Sequence, residues 1–127
     1  MPAQAACTVA TTPVAFGAYH AGALPTDSTG TVTVACGGLT SFTVSISPGG
    51  GSANAFDRAL SSGASRLSYN LYTDVTRLLV WGDGTGGTTR IIRLASNATL
   101  SVYARIPGLQ QVAAGTYADS LIVTVDF

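Results

Sequence analysis

A chain of 127 residues has the length for one hydrophobic core and not for two, so all of it is read as a single unit. Only 9% of it is charged, the six bases being arginines and the six acids aspartates, and a net charge of zero with no basic run excludes the concentrated positive face that nucleic acid or an anionic membrane requires. Apolar residues reach 46% and mean hydropathy is +0.38, yet no apolar run approaches the ~18 residues of a membrane span, so the excess must be buried within the chain or against a partner.

Taken in chain order, the sequence is a string of short alternating runs separated by Gly, Pro, Ser, Asp and Asn clusters, the spacing of a β-sandwich, with no helical period competing. Residues 1–6, with Ala3-Gln4-Ala5 at their centre, read as the end of a secretory signal or an added tail, and residues 7–127 as the domain. Cys7-Thr8-Val9-Ala10 and Val14-Ala15-Phe16 form a first strand broken at Pro13, which cannot donate to a ladder. After a connection from Gly17 to Ser28, Val32, Val34 and Cys36 share one face of a clear strand, and Phe42, Val44 and Ile46 repeat the pattern. The two cysteines admit one pairing, Cys7 with Cys36, which contributes on the order of 3–4 kcal/mol in an oxidising compartment; two buried free thiols are the alternative.

A long turn, Ser47 to Ser52, follows, and then Leu67, Tyr69 and Leu71 alternate as a strand. Leu78 to Trp81 is a short apolar run, and Gly82 to Gly87 is a glycine loop. Thr88 to Leu94 is read as a strand, Leu100, Val102, Ala104 and Ile106 as the next, ended by Pro107-Gly108. Leu121, Val123, Val125 and Phe127 then alternate inward to the end of the sequence. Edges of sheets are usually blunted by lysine, proline or bulges, but this last strand carries one charge, Asp126, and the chain has no lysine, so it is expected to be paired by another molecule.

A search for chemistry yields little. His20 is the only histidine, which excludes a multi-histidine metal site, and no metal or cofactor is expected. The glycine loop lacks the Gly-Lys-Ser/Thr ending of a phosphate loop, and Asp83 lacks the alternating oxygens of a dedicated calcium loop. Asp74 and Asp83 are the pair of carboxylates to consider for glycoside hydrolysis, although turn aspartates explain both. Asn97-Ala98-Thr99 matches a glycosylation sequon of the kind a Thr-rich chain holds by chance. Tyr117, two residues before Asp119, suits a tyrosine corner or plain packing, and Trp81 beside the glycine loop suits a core anchor or a sugar-stacking platform. No catalytic residue is assigned, and the chain is not read as an enzyme.

Several segments together resemble the spore coat protein U domain, the family that also supplies subunits of the archaic, Csu-type chaperone–usher pili. They are Ala6-Cys7-Thr8-Val9, Val14 to Tyr19, Val32 to Cys36, Leu67 to Asp74, Val80 to Gly87, Val102 to Pro107 and Ala114 to Leu121, in order along essentially the whole chain. The resemblance implies an all-β, immunoglobulin-like β-sandwich with one disulfide that lacks its last strand. A hydrophobic groove beside the C-terminal strand, with Leu121, Val123, Val125 and Phe127 facing it, would then be filled first by a periplasmic chaperone and later by a neighbouring subunit.

It further implies passage through the periplasm and an outer-membrane usher to the cell surface, with strand exchange between copies as a route to homo-oligomers. One departure is that only Met1 to Ala6 precede Cys7, where a fibre-shaft subunit carries its donor strand. The donor segment was removed, or the subunit sits at a fibre tip, or assembly follows another route. For a tip, the loops Gly17–Leu24 and Val75–Trp81 are the adhesive candidates, with Tyr19, Trp81 and Asp83 the residues to watch. A self-complete secreted module binding sugar or a surface, and a protective spore or cell coat protein, are the alternatives.

Overall fold

The computed structural model describes residues 7–12, 14, 16–20, 22–50 and 54–127. The reading of residues 1–6 as a signal remnant and of Pro13 as a strand break therefore lies outside the described residues.

Alternation of β-branched and small residues builds seven antiparallel strands: β1 (Cys7–Thr12), β2 (Thr26–Ile46), β3 (Ala59–Ser62), β4 (Ser65–Ser68), β5 (Asn70–Tyr72), β6 (Ile91–Ile106) and β7 (Val123–Asp126). The helical content among the described residues is a single 3₁₀ turn, Ala55–Asp57, whose first free N–H, that of Phe56, is accepted by the Asn54 side chain at 2.9 Å.

Two long strands form the frame. β2 pairs β6 from Thr26 opposite Ile106 to Val44 opposite Ile91. The register shifts between Ala35 and Thr40, where residues 36–39 stand against Ser96 alone. The sequence reading expected separate strands on either side of Gly37-Gly38, and likewise on either side of residues 95–99. The glycines instead absorb an irregularity inside one continuous ladder, because the pairing on both sides holds them in extended backbone.

Since β6 takes one edge of β2 along its length, β1 and β7 share the other edge. β1 lies along the first half, with Cys7 opposite Cys36 and Thr12 opposite Thr31. β7 lies along the last part, with Val123 opposite Ile46 and Asp126 opposite Thr43. β5 pairs the end of β6, Asn70 opposite Arg105, while the β3–β4 hairpin is tied to the C-terminal segment by paired hydrogen bonds between Ser61 and Ala118. The run from Leu67 to Leu71 is thus divided between two sheets at Tyr69, and Leu78 to Trp81 contributes only isolated bridges, Val80 to Tyr72 and Trp81 to Thr89.

The core follows the period-2 pattern: Val32, Val34, Phe42, Val44 and Ile46 from β2 meet Leu100, Val102, Ala104 and Ile106 from β6, with Leu60, Leu67, Leu71 and Trp81 completing it. Each large side chain so buried contributes roughly 1.5–3 kcal/mol. Cys7 and Cys36, opposite each other in the β1–β2 ladder, are joined as a disulfide, which resolves the alternative of free thiols.

Candidate functional site

The extended run at the C-terminal end of the chain has one partnered edge. Among the described residues β7 is paired with β2 and with no strand on its other side. An apolar cleft of about 560 Å³ opens along the segment that leads into β7 and reaches its first residue, Val123. One wall is made by Thr11, Thr12, Val14, Phe16 and Gly17; the other is segment 116–123, which presents Tyr117, Leu121 and Val123. The floor is core: Val32 and Ile46 of β2, Leu60, Tyr69, Leu71 and Val102.

Polar groups hold the second wall in place. Ser47 N–H donates to Ile122 O at 2.9 Å, and the Ser47 hydroxyl accepts from Ile122 N–H at 2.9 Å. The Asp119 carboxylate accepts from the Tyr69 hydroxyl at 2.5 Å, from Gly50 N–H at 2.9 Å and from its neighbour Ser120 N–H at 2.9 Å. A Cβ at Gly49 would run into that carboxylate, and its φ of +91° suits glycine besides. Burial, then the bond to Asp119, push the Tyr69 hydroxyl far above its ordinary pKa, so it remains a neutral donor. Tyr69 and Asp119, the two deepest polar groups of the lining, are thereby partnered within the chain, and most of what the cleft offers an occupant is apolar surface.

Tyr117 donates its hydroxyl to Ala113 O, four residues upstream, at 2.6 Å, the geometry of a tyrosine corner. Leu121, Val123 and Val125 are half-buried against the core. Phe127, expected as the fourth inward side chain, is 64% exposed because β7 ends at Asp126 and the ladder no longer directs it.

Two of the residues singled out as an adhesive surface lie in the core. Tyr19 is 5% exposed, and Trp81 is fully buried, its indole N–H donating to Val44 O at 3.0 Å. Neither ring has a face open to a ligand, so the sugar-platform reading of Trp81 gives way to its core alternative. Asp83 is exposed in the glycine loop and accepts from Thr85 N–H at 2.9 Å and from the Thr85 hydroxyl at 2.5 Å, bonds that lower its pKa. It borders a second cleft of about 460 Å³, of mixed polar and apolar lining, with Ser45, Phe56 and Thr124.

Asp74 closes its own loop, accepting from the Thr76 hydroxyl and from the N–H groups of Leu78 and Leu79, and its pKa is lowered as well. Both carboxylates are held ionised, the opposite of what a general acid for glycoside hydrolysis needs. No cluster of three or more metal-ligating side chains occurs among the described residues.

One residue was missed by sequence reasoning. Arg58 is fully buried and donates to Ser47 O (3.1 Å from Nε, 2.7 Å from Nη2), Ile46 O (3.1 Å), Trp81 O (2.7 Å) and Asn70 Oδ1 (2.8 Å). Burial lowers its pKa while Tyr69 and Asp119 oppose that shift. It fixes the end of β2 to which Ile122 is pinned. Nothing in the run Phe56-Asp57-Arg58-Ala59-Leu60 marks this arginine as buried rather than a hairpin surface charge.

The model of the Spore Coat Protein U domain matches residues 1–124. Among curated proteins, "Protein U" of Myxococcus xanthus is 35% identical over 106 residues, 78% of this chain. The chain spans 59% of the length of that relative. Among solved structures, a chain of the CsuC–CsuE chaperone–tip adhesion subunit pre-assembly complex from the archaic chaperone–usher Csu pili of Acinetobacter baumannii superposes with a TM-score of 0.71 at 23% identity. The match covers 98% of this chain and 40% of that one, and it shows an immunoglobulin-like fold.

Proposed function

The chain belongs to the Spore Coat Protein U domain family, and from that premise we propose that it is a structural or adhesive subunit of a bacterial surface fibre, completed by a strand from another molecule. The observation that carries the reading is an apolar cleft between residues of the N-terminal and C-terminal segments, reaching Val123 of a β7 that pairs with β2 alone among the described residues. An extended segment laid there gains main-chain hydrogen bonds from the edge and buries alternate side chains against Leu121, Val123, Val14 and Phe16. A periplasmic chaperone is the first occupant of the cleft and a neighbouring subunit the second, with an outer-membrane usher between the two steps. The similar chain in the Acinetobacter baumannii structure belongs to a chaperone–subunit complex, which supports this order. The subunit is carried through the periplasm to the cell surface, and of the four alternating residues Leu121 and Val123 make the contact, since Val125 and Phe127 lie outside the cleft lining.

The test is the oligomeric state of the purified, disulfide-bonded chain, with and without a synthetic peptide of about seven residues that alternates valine with serine. Alone, the chain is expected to exchange strands or aggregate. With the peptide it is expected to become monomeric and to show new amide protection in β7. A stable monomer whose β7 amides are protected without any addition would overturn the proposal. Val123→Arg, which places a charge in the cleft, is expected to abolish peptide binding while the far-ultraviolet circular dichroism stays the same.

A further inference from the structure

We propose that the Tyr19–Gly115 bridge is the blind end of the cleft, a stop that sets how far an inserted strand can run. The inference rests on the strand-acceptor reading above. The two walls end next to the bridge: Phe16 and Gly17 lie just before Tyr19 in the chain, and Thr116 and Tyr117 follow Gly115. There the chain is paired antiparallel: Tyr19 N–H donates to Gly115 O at 2.8 Å, and Gly115 N–H returns a bond to Tyr19 O at 3.2 Å. Away from it the two segments part, and the cavity lies between them.

An inserted strand needs the main-chain groups of the segments that flank it. At the bridge those groups are engaged with each other, so there is no place for a third strand between them. Side chains reinforce the closure. The Tyr19 and Tyr117 rings meet edge to face with centroids 6.1 Å apart, the Tyr19 hydroxyl donates to Gln110 O at 3.3 Å, and the Tyr117 hydroxyl is fixed on Ala113 O.

The opposite end has no such closure among the described residues: β1 and β7 each pair with β2 and not with one another. The cleft is therefore a blind slot, open toward the ends of the chain. The lining between Thr11 and Gly17 admits about seven residues of extended chain, roughly 23 Å. An occupant is held in one register by abutting the bridge, and any overhang leaves at the open end. Since a slip of one residue would turn every inward side chain outward, a stop of this kind selects which residues enter the cleft.

The experiment uses the wild-type chain and three fluorescent peptides: the alternating Val/Ser probe, and the same probe lengthened by a Ser-Thr run at its N-terminus or at its C-terminus. The expected result is that one extension leaves affinity unchanged and the other weakens it at least about tenfold, because the strand must withdraw from the slot or lose its register. Benzophenone placed at the penalised end of the unextended probe is expected to crosslink to Tyr117 or Thr116. Equal tolerance of both extensions, or an equal penalty for both, overturns the blind end while leaving strand acceptance standing. Failure of the unextended probe to bind overturns the acceptor reading itself, and the blind end with it.

Discussion

Replacing Arg58 with methionine tests whether the buried guanidinium holds the end of β2. Methionine fills comparable volume and donates nothing. Asn70 Oδ1 keeps the Leu71 N–H at 2.8 Å, but the carbonyls of Ile46, Ser47 and Trp81 lose the donors described above. At about 1–3 kcal/mol for each acceptor left buried without a partner, partly offset by relief of the desolvated charge, the cost is on the order of 3–6 kcal/mol. That is a large share of the ~5–15 kcal/mol of a typical domain.

Exchange of a whole buried ion pair for apolar residues is often neutral, but here the acceptors belong to the main chain and stay behind. Urea unfolding of the oxidised protein, followed by the fluorescence of Trp81, reads the change as a shift in midpoint at constant slope. Arg58→Lys is expected to fall between wild type and methionine, because an ammonium has three donors but not the planar fork that reaches four residues. A methionine variant within about 1 kcal/mol of wild type would refute the reasoning, since it would mean that water or small shifts satisfy those carbonyls at no cost.

Further outcomes follow from the same contacts. Reduction of Cys7–Cys36, or replacement of both by serine, is expected to lower unfolding free energy by about 3–4 kcal/mol, as the closed loop of 29 residues in sequence separation predicts; a loss below about 1 kcal/mol by urea titration would contradict it. Gly30→Ala would set a Cβ 2.8 Å from Thr12 O and 2.9 Å from Val14 Cγ2, forcing the first wall of the cleft outward. A cost of about 1–3 kcal/mol with weaker peptide binding is expected, and an unchanged melting temperature would count against the packing described.

Acid stability has a defined sign. Asp27 is held below the ordinary carboxylate range first by its hydrogen bond to Arg105, Asp74 by Thr76 and Asp83 by Thr85. Folded values below unfolded ones near about 3.9 mean that their contribution is complete above that pH and is lost as the pH falls through the lowered values. Urea midpoints measured downward from about pH 5 should therefore decline, less so in Asp27→Asn, and a midpoint that rises on acidification would contradict the assignment.

The period-2 runs of Val32, Val34, Phe42, Val44, Ile46 and Leu100 to Ile106 determined the all-β class and the composition of the core without reference to tertiary structure. Alternation is a local property, which a strand with one buried face imposes on its own residues. The family segments and the cysteine pair were legible for the same reason, being matters of residue identity and order. What each strand pairs with is not local. Only the tertiary structure merged residues 26–46 and 91–106 into single strands, placed β1 and β7 on one edge of β2, and brought Thr12, Val14 and Phe16 opposite segment 116–123 as walls of one cleft. It likewise buried Tyr19, Arg58 and Trp81, residues whose polar tips leave their sequence reading open between core and surface. Whether such a side chain lies inside depends on whether acceptors such as Val44 O and Trp81 O meet it there, and those are supplied by chain far away in sequence.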